Sequence, residues 1–228
     1  MSYNILLCGV GGQGTVLASK LLAAAAEKSG ETVHSAETIG MAQRGGPVTS
    51  HVRIGKDAYS PLIPKGKADL IIAFEPGEAV RNIDFLKKGG AVIVNDVPVK
   101  PVTESLNPTG YDGTEMVSYL KKTIENLVVV NADSLCESLG SSKFFNVAVL
   151  GVAKGAEFLD FSEEKIIETI ESTVKEKFVE VNKKAFLAGK EKGEEYQKSL
   201  QGEEEKKETV KPRALTEDEK ATLFSGKK

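Results

Sequence analysis

"GVGGQGTVLASK", Gly9 to Lys20, follows the apolar run "YNILLC". Glycines at 9, 11 and 14 spell G-x-G-x-x-G between an apolar segment and a run of helical periodicity. That order is the phosphate-binding turn of a βαβ unit. The first glycine permits the tight turn, the second lets a backbone come close, and the third lets helix pack on strand. Ile5, Leu6 and Leu7 predict a strand buried on both faces. Val16, Leu17, Leu21, Leu22 and Ala25 recur at helical spacing and predict a helix over 13–29. Gly30 closes it, where positive φ carries no Cβ penalty. "ETVHSA" begins a second strand.

Working outward, Gly45-Gly46-Pro47 breaks the chain, and "VTSHVRI" then alternates with Val48, Ser50, Val52 and Ile54 on one face. "GKDAYSP" is expected to turn into a hairpin partner. "ADLIIAFEP" reads as a buried strand ending at Glu75-Pro76, followed by a helix over 77–88 that Gly89-Gly90 closes. "AVIVND" and "NLVVVNAD" are further strands, with a short amphipathic helix between them near 115–125. "SKFFNVAVLGVAKGAEFL" is apolar almost all round, which predicts a buried helix. Asp160 as N-cap and Glu163 at N3 open a helix through Lys177, with Ile166, Ile167, Ile170 and Val174 as its core stripe. A further helix runs over 181–200. From Glu191 the chain becomes strongly charged. "ALTEDEKATLF" reads as a short helix capped by Thr216, with Glu219 at N3. Strands alternating with helices give an α/β fold with a mostly parallel sheet covered on both faces. The expected division is one domain over 1–190 and a charged helical or disordered tail over 191–228.

A chain of 228 residues with 40% hydrophobic content can bury a real core. Its net charge of −3 gives no global basic field for nucleic acid. The two cysteines, Cys8 and Cys136, form neither a disulfide framework nor a CxxC metal or cluster site, and read as small buried hydrophobes. No basic segment precedes a long apolar stretch, and no run approaches about 18 apolar residues. These features predict a cytoplasmic protein with no membrane segment.

Spacing leaves two readings of the glycine turn open. In one it binds NAD or FAD, and an acid about 20 positions on, near Glu37, holds a ribose. In the other the glycines serve turn and packing, and the loop faces a partner or a different anion. The next segment, "ETIGMAQRGGPVTSHVRIG", places Gln43, Arg44, Ser50, His51 and Arg53 around a flexible turn. Arg44 beside Gly45 and Gly46 is suited to fork onto a carboxylate or phosphate, and the alternative is an ordinary exposed loop. His51 and His34 read as strand-surface or hydrogen-bonded histidines rather than catalysts.

These two stretches together resemble the gamma subunit, or gamma domain, of 2-oxoacid:ferredoxin oxidoreductases, and are most similar to the small (beta) subunit of indolepyruvate ferredoxin oxidoreductases. "ADLIIAFEPGEAVRN", "GGAVIVND", "NVAVLGVA" and "VNKKAFLAG" agree, so the resemblance covers about residues 3–190. It implies a Rossmann-like three-layer α/β/α domain with C-terminal helices and a charged tail. It further implies a non-cofactor subunit of a cytoplasmic heteromer, with no catalytic or metal-binding residue of its own. A large alpha subunit would carry thiamine diphosphate, Mg2+ and 4Fe–4S clusters. The complex would convert a 2-oxoacid to its acyl-coenzyme A and pass electrons to ferredoxin. The residues themselves agree by omission, since the chain has no GDG…N thiamine motif and no cysteine set for a cluster, which takes about four ligands. On this reading Gly9, Gly11, Gly12, Gln13 and Gly14, with Gln43, Arg44, Gly45, Gly46 and Ser50, face the partner's substrate or coenzyme A pocket. A free-standing NAD(P)- or FAD-binding oxidoreductase and an assembly scaffold that docks through its helical C-terminus are the competing readings.

Overall fold

The computed structural model describes residues 2–38, 40–100 and 110–209. Six strands form one sheet: β1 (Tyr3–Val10), β2 (Val33–Glu37), β3 (Pro47–Ile54), β4 (Ala68–Ala73), β5 (Leu86–Asn95) and β6 (Asn126–Val130). Their order is β2-β3-β1-β4-β5-β6. β1, β4, β5 and β6 pair in parallel, and β3 runs antiparallel between β1 and β2. The sheet is therefore mostly parallel, as its apolar runs predict, with one reversed strand inserted beside β1.

The period-two rule sorts side chains onto two faces. Ile5 and Leu7 of β1, with Val52 and Ile54 of β3, face the larger core. There they meet α1 (Thr15–Lys28), α5 (Phe145–Gly155), α6 (Glu163–Thr173) and the start of α7 (Val179–Thr209). Leu6 and Cys8 face the opposite side, under α2 (Pro76–Arg81) and α3 (Thr114–Thr123). A four-residue helix, α4 (Ala132–Leu135), follows β6.

Several local expectations change. "GKDAYSP" forms no strand, because both edges of β3 are already filled by β1 and β2. The segment instead folds back along β3, where Ile63 N–H donates to His51 Nδ1 at 3.2 Å and Arg53 Nη1 donates to the Ser60 carbonyl at 2.8 Å. The helix after β4 stops at Arg81. Asn82 turns its Nδ2 onto the Glu78 carbonyl at 2.9 Å, and a single 3-10 turn leads into β5. Gly89 and Gly90 thus lie inside a strand rather than closing a helix. The cap of α6 is Ser162, whose hydroxyl accepts from Lys165 N–H at 3.3 Å, in place of Asp160. The proposed Thr216 helix lies outside the described residues.

The closest helix pair is α5 with α7. A Cβ on Gly189 would stand 1.9 Å from the Ala148 carbonyl oxygen, and one on Gly151 would stand 2.0 Å from that of Phe186. The two backbones touch, which only glycine at these positions permits. Contact continues past residue 190. Tyr196 packs edge-on to Phe158, and Gln197 Nε2 donates to the Ala156 carbonyl.

Gly189→Ala should cost stability at or beyond the upper end of the ~1–3 kcal/mol typical of overpacking. Gly30→Ala, which meets open space, should cost about 1–2 kcal/mol for its positive φ alone. Urea unfolding of both variants checks the ranking.

Candidate functional site

The carboxyl ends of β1 and β4 lie side by side, and the helices that follow them leave to opposite faces of the sheet. That reversal opens a crevice at the strand tips, the place where open α/β sheets bind ligands. The glycine turn, residues 9–14, forms its centre.

Three contacts define this turn. Gly11 N–H donates to the Gly46 carbonyl at 2.8 Å. A Cβ on Gly11 would lie 2.3 Å from the Ala42 carbonyl oxygen and 2.4 Å from the Gln43 carbonyl carbon. The clearance that a dinucleotide pyrophosphate would need is therefore filled by the chain's own 42–46 turn. Gln13 closes the inner side: its Oε1 accepts from Val10 N–H at 2.7 Å, and its Nε2 donates to the Phe74 carbonyl at 2.9 Å. Asn95 continues this seam, donating to the same Phe74 carbonyl at 3.0 Å and accepting from Ala132 N–H at 2.9 Å. The tips of β1, β4 and β5 and the start of α4 are tied by two side-chain amides.

Glu37 does not stand where a ribose-binding acid would. It lies on β2, separated from β1 by β3, and accepts a 3.0 Å hydrogen bond from the Ser19 hydroxyl of α1.

On one side of the turn lies a cavity of about 600 Å³, bordered by Gly11, Gly45, Gly46, Glu75, Arg81 and Tyr111. Its acidic wall follows from the local sequence. Glu75 ends β4 and caps α2, with Pro76 at the first helical position where its missing N–H is harmless. One Glu75 oxygen accepts from Glu78 N–H at 2.9 Å, and the other from the Tyr111 hydroxyl. Tyr111 in turn accepts from Gly77 N–H at 3.0 Å, which pins the segment before α3 onto α2. Glu78 pairs through Oε1 with Arg81, while its Oε2 is buried with no partner. Burial pushes the Glu78 carboxyl above the ordinary carboxylate range, Arg81 opposes the shift, and Glu75 adds to it. Burial likewise pushes up the Tyr111 phenol, helped by its hydrogen bond to Glu75. A second cavity, of about 400 Å³, lies on the other side of the turn beside the start of α5.

The sequence-predicted residues divide clearly. Gly11, Gln43, Gly45 and Gly46 come together at the mouth. Gln43 is exposed, and its Nε2 donates to the Thr38 carbonyl at 2.9 Å. Arg44 is exposed; its backbone N–H donates to the Met41 carbonyl at 2.9 Å, and its guanidinium has no hydrogen bond or ion pair among the described residues. Gly12 is exposed in the glycine turn, and Gly14 starts α1. Gly9 packs against Phe74. Gln13 has its amide bonded at both ends to strand tips, so its role in the structure is to hold the turn shut. Ser50 points into the interior, fully buried and without a partner for its hydroxyl. Sequence reading missed Glu78, Arg81, Tyr111, Asn95 and Asn146 as crevice residues; only the Glu75-Pro76 strand end signalled that a capped helix starts there.

His51 uses Nδ1 to hold Ile63, and burial lowers its affinity for a proton. Cys8 is fully buried, with its thiol pushed up by burial and then by Glu78. Cys136 is pushed up to about 11 by burial and by Asp133. Neither thiol has the lowered pKa of a reactive cysteine. Among the described residues no three His, Cys, Asp or Glu side chains are placed to hold a metal ion, and no helix is long and apolar enough to cross a membrane. Two separate buried cysteines do not fit an iron–sulfur cluster.

Comparison with known proteins places this architecture. Residues 4–192 match the family model described as pyruvate ferredoxin/flavodoxin oxidoreductase, and the chain belongs to that family. The indolepyruvate oxidoreductase subunit IorB of Archaeoglobus fulgidus is 42% identical over 190 residues, covering 83% of this chain and 94% of the relative. Its counterpart from Thermococcus kodakarensis is 39% identical over 192 residues, covering 82% and 94%. Among solved structures, the gamma subunit of a keto/oxoacid ferredoxin oxidoreductase from Geobacter sulfurreducens superposes with a TM-score of 0.60 at 26% identity, over 84% of this chain and 98% of that one. The free-standing nicotinamide or flavin reading has no support from these relatives.

Gln13→Ala removes two hydrogen bonds between strand tips and should cost about 2 kcal/mol by urea unfolding. Glu78 gives a signed pH effect. Its folded-state value is raised, so the folded chain retains a proton that the unfolded chain has released. Its contribution to stability therefore falls as pH climbs from about 4.3 toward the raised value. Glu78→Gln removes that fall, so melting temperatures taken between about pH 4 and pH 7 should shift in favour of the variant as pH rises. NADH and FAD titrated against the chain by fluorescence should show no micromolar binding.

Proposed function

We propose that this chain is the non-cofactor subunit of a thiamine-diphosphate-dependent 2-oxoacid:ferredoxin oxidoreductase whose substrate is indolepyruvate or a related aryl 2-oxoacid. The observation that carries the reading is the likeness to indolepyruvate oxidoreductase subunits along nearly their whole length. The self-filled glycine turn supports it from the structural side, because the fold is kept while the dinucleotide clearance is not. The large alpha subunit holds thiamine diphosphate, Mg2+ and the 4Fe–4S clusters, decarboxylates the 2-oxoacid, and sends electrons to ferredoxin. Coenzyme A receives the acyl group. The complex works in the cytoplasm, where the two free cysteines of this chain stay reduced.

This chain's part is to close the pocket. The rim formed by Gly11, Gly12, Gln43, Arg44, Gly45 and Gly46 faces the partner's reaction centre. Arg44 reaches across it to the carboxylate of the 2-oxoacid or a phosphate of coenzyme A. Its guanidinium has no partner among the described residues, which suits it to such a planar, bidentate contact. Gln13 and Ser50 support the rim from below rather than touching the ligand.

In the assembled complex, Arg44→Ala should raise the KM for coenzyme A or the 2-oxoacid by about tenfold, as loss of a charge-assisted bond does. The effect on kcat should be smaller. Unchanged KM values for both would remove Arg44 from the site.

A further inference from the structure

We infer that the free edge of β6, with the groove beside it, is a docking site for an extended segment of another chain that carries lysine or arginine at alternate positions. This surface is separated from the Gln43–Gly46 rim by β4 and β5, and the inference does not depend on which oxidoreductase the chain serves.

β6 ends the sheet and pairs only with β5, without a shift of register. Asp96 N–H donates to the Val130 carbonyl at 2.9 Å, so the backbone groups of Val130 face β5. Backbone direction alternates along a strand. Val128 therefore also faces β5, and the N–H and C=O groups of Leu127 and Val129 point away from the sheet. Those groups have no hydrogen-bond partner among the described residues. Native proteins blunt such an edge with charged residues, proline or a bulge. β2, at the opposite edge, carries His34 and Glu37. β6 runs Asn126-Leu127-Val128-Val129-Val130 and has none of these devices. An edge left open in this way is a template for one more strand.

A groove of about 500 Å³ opens beside this edge, between β6 and α7. Val130, Leu135 and Ala188 give it apolar surface, and its charged members are Asp96, Glu191 and Glu195 against Lys192 alone. Lys192 is engaged by Glu195 at 2.7 Å, and Asp96 accepts from Asn131 Nδ2 at 2.8 Å. Glu191 is exposed and has no ion pair among the described residues. The groove is therefore net acidic, and that charge selects the occupant. A second copy of this chain docked edge to edge would bring two acidic grooves together, which like-charge repulsion opposes. A strand with basic residues at alternate positions instead sets its cations over Glu191 and Glu195 while its backbone pairs with Leu127 and Val129. Its intervening residues turn to the other face of the sheet. There Leu127 and Val129 present half-buried apolar side chains, which suits small apolar residues between the basic ones.

The test is titration of the full chain with two synthetic hexapeptides, one of alternating lysine and valine and one of alternating glutamate and valine, followed by calorimetry and by amide exchange in NMR spectra. Saturable binding of the lysine peptide is expected, about tenfold or more tighter than that of the glutamate peptide, and weakened about fivefold between about 50 mM and about 500 mM salt. Amide exchange at Leu127 and Val129 should be fast in the free chain and at least tenfold slower with the lysine peptide bound. Glu191→Lys changes an exposed residue without an ion pair, so it should keep the parent's near-ultraviolet circular dichroism while weakening the lysine peptide at least fivefold. The proposal is overturned by absence of saturable binding of the lysine peptide up to about 1 mM, by equal binding of the two peptides, or by binding that Glu191→Lys leaves unchanged. It is also overturned by binding that leaves exchange at Leu127 and Val129 as it was. Protection of those two amides in the chain without peptide overturns it too: dependence on protein concentration would then assign the edge to a second copy, and independence to another part of the same chain.

Discussion

The packing of Gly11 against the 42–46 turn is the constraint on which the crevice depends. A side chain at this position would overlap backbone atoms of Ala42 and Gln43 at less than 2.5 Å. Backbone cannot retreat from such an overlap as the end of a flexible side chain can. The hydrogen bond from Gly11 N–H to Gly46 therefore holds two loops in one fixed relation. One loop starts the first helix, and the other leads into the reversed strand β3. A motif known for admitting a pyrophosphate here admits the protein's own chain.

That substitution follows from the topology. In a parallel dinucleotide fold the strand after the first helix lies directly beside β1, and its terminal acid meets a ribose. Here β3 occupies that place in the opposite direction, and β2 with Glu37 is displaced outward. An antiparallel strand beside β1 brings its preceding loop, 40–46, onto the carboxyl end of β1. The loop covers the glycine turn, and its most exposed members, Met41, Gln43 and Arg44, are presented outward. The same strand reversal thus fills the place where a nicotinamide dinucleotide would sit with the chain's own loop. Beneath it, the Gln13 and Asn95 amides lock the strand tips together, so the rim rests on a rigid base.

Much of this was legible in the sequence where periodicity and punctuation agreed. The β1 strand, the helix closed by Gly30, the alternating β3 face and the buried α5 all follow from local pattern. What failed were elements decided by distant neighbours. The 55–61 segment has turn chemistry fit for a hairpin, but no free edge of β3 was left to receive it. Gly89-Gly90 reads as a helix stop, yet both lie inside β5, where a Cβ on Gly90 would stand 2.8 Å from the Leu86 side chain and 3.1 Å from the Asp69 carbonyl oxygen of β4. The helix over 181–200 was legible, but not that glycines at 189 and 193 let it lie directly on α5. In the site, the glycine fingerprint and the Arg44 loop were visible as motifs. The Glu75–Tyr111–Glu78 wall was not, because it depends on long-range packing that one sequence does not display.

The central claim is a division of labour: this chain shapes and closes a reaction centre whose redox machinery a companion carries. The most direct measurement is 2-oxoacid-dependent reduction of ferredoxin, with thiamine diphosphate and coenzyme A present, by this chain alone, by the large subunit alone and by the two combined. The account predicts no turnover from this chain alone and full turnover only when both are mixed. Turnover by this chain without the large subunit would contradict it.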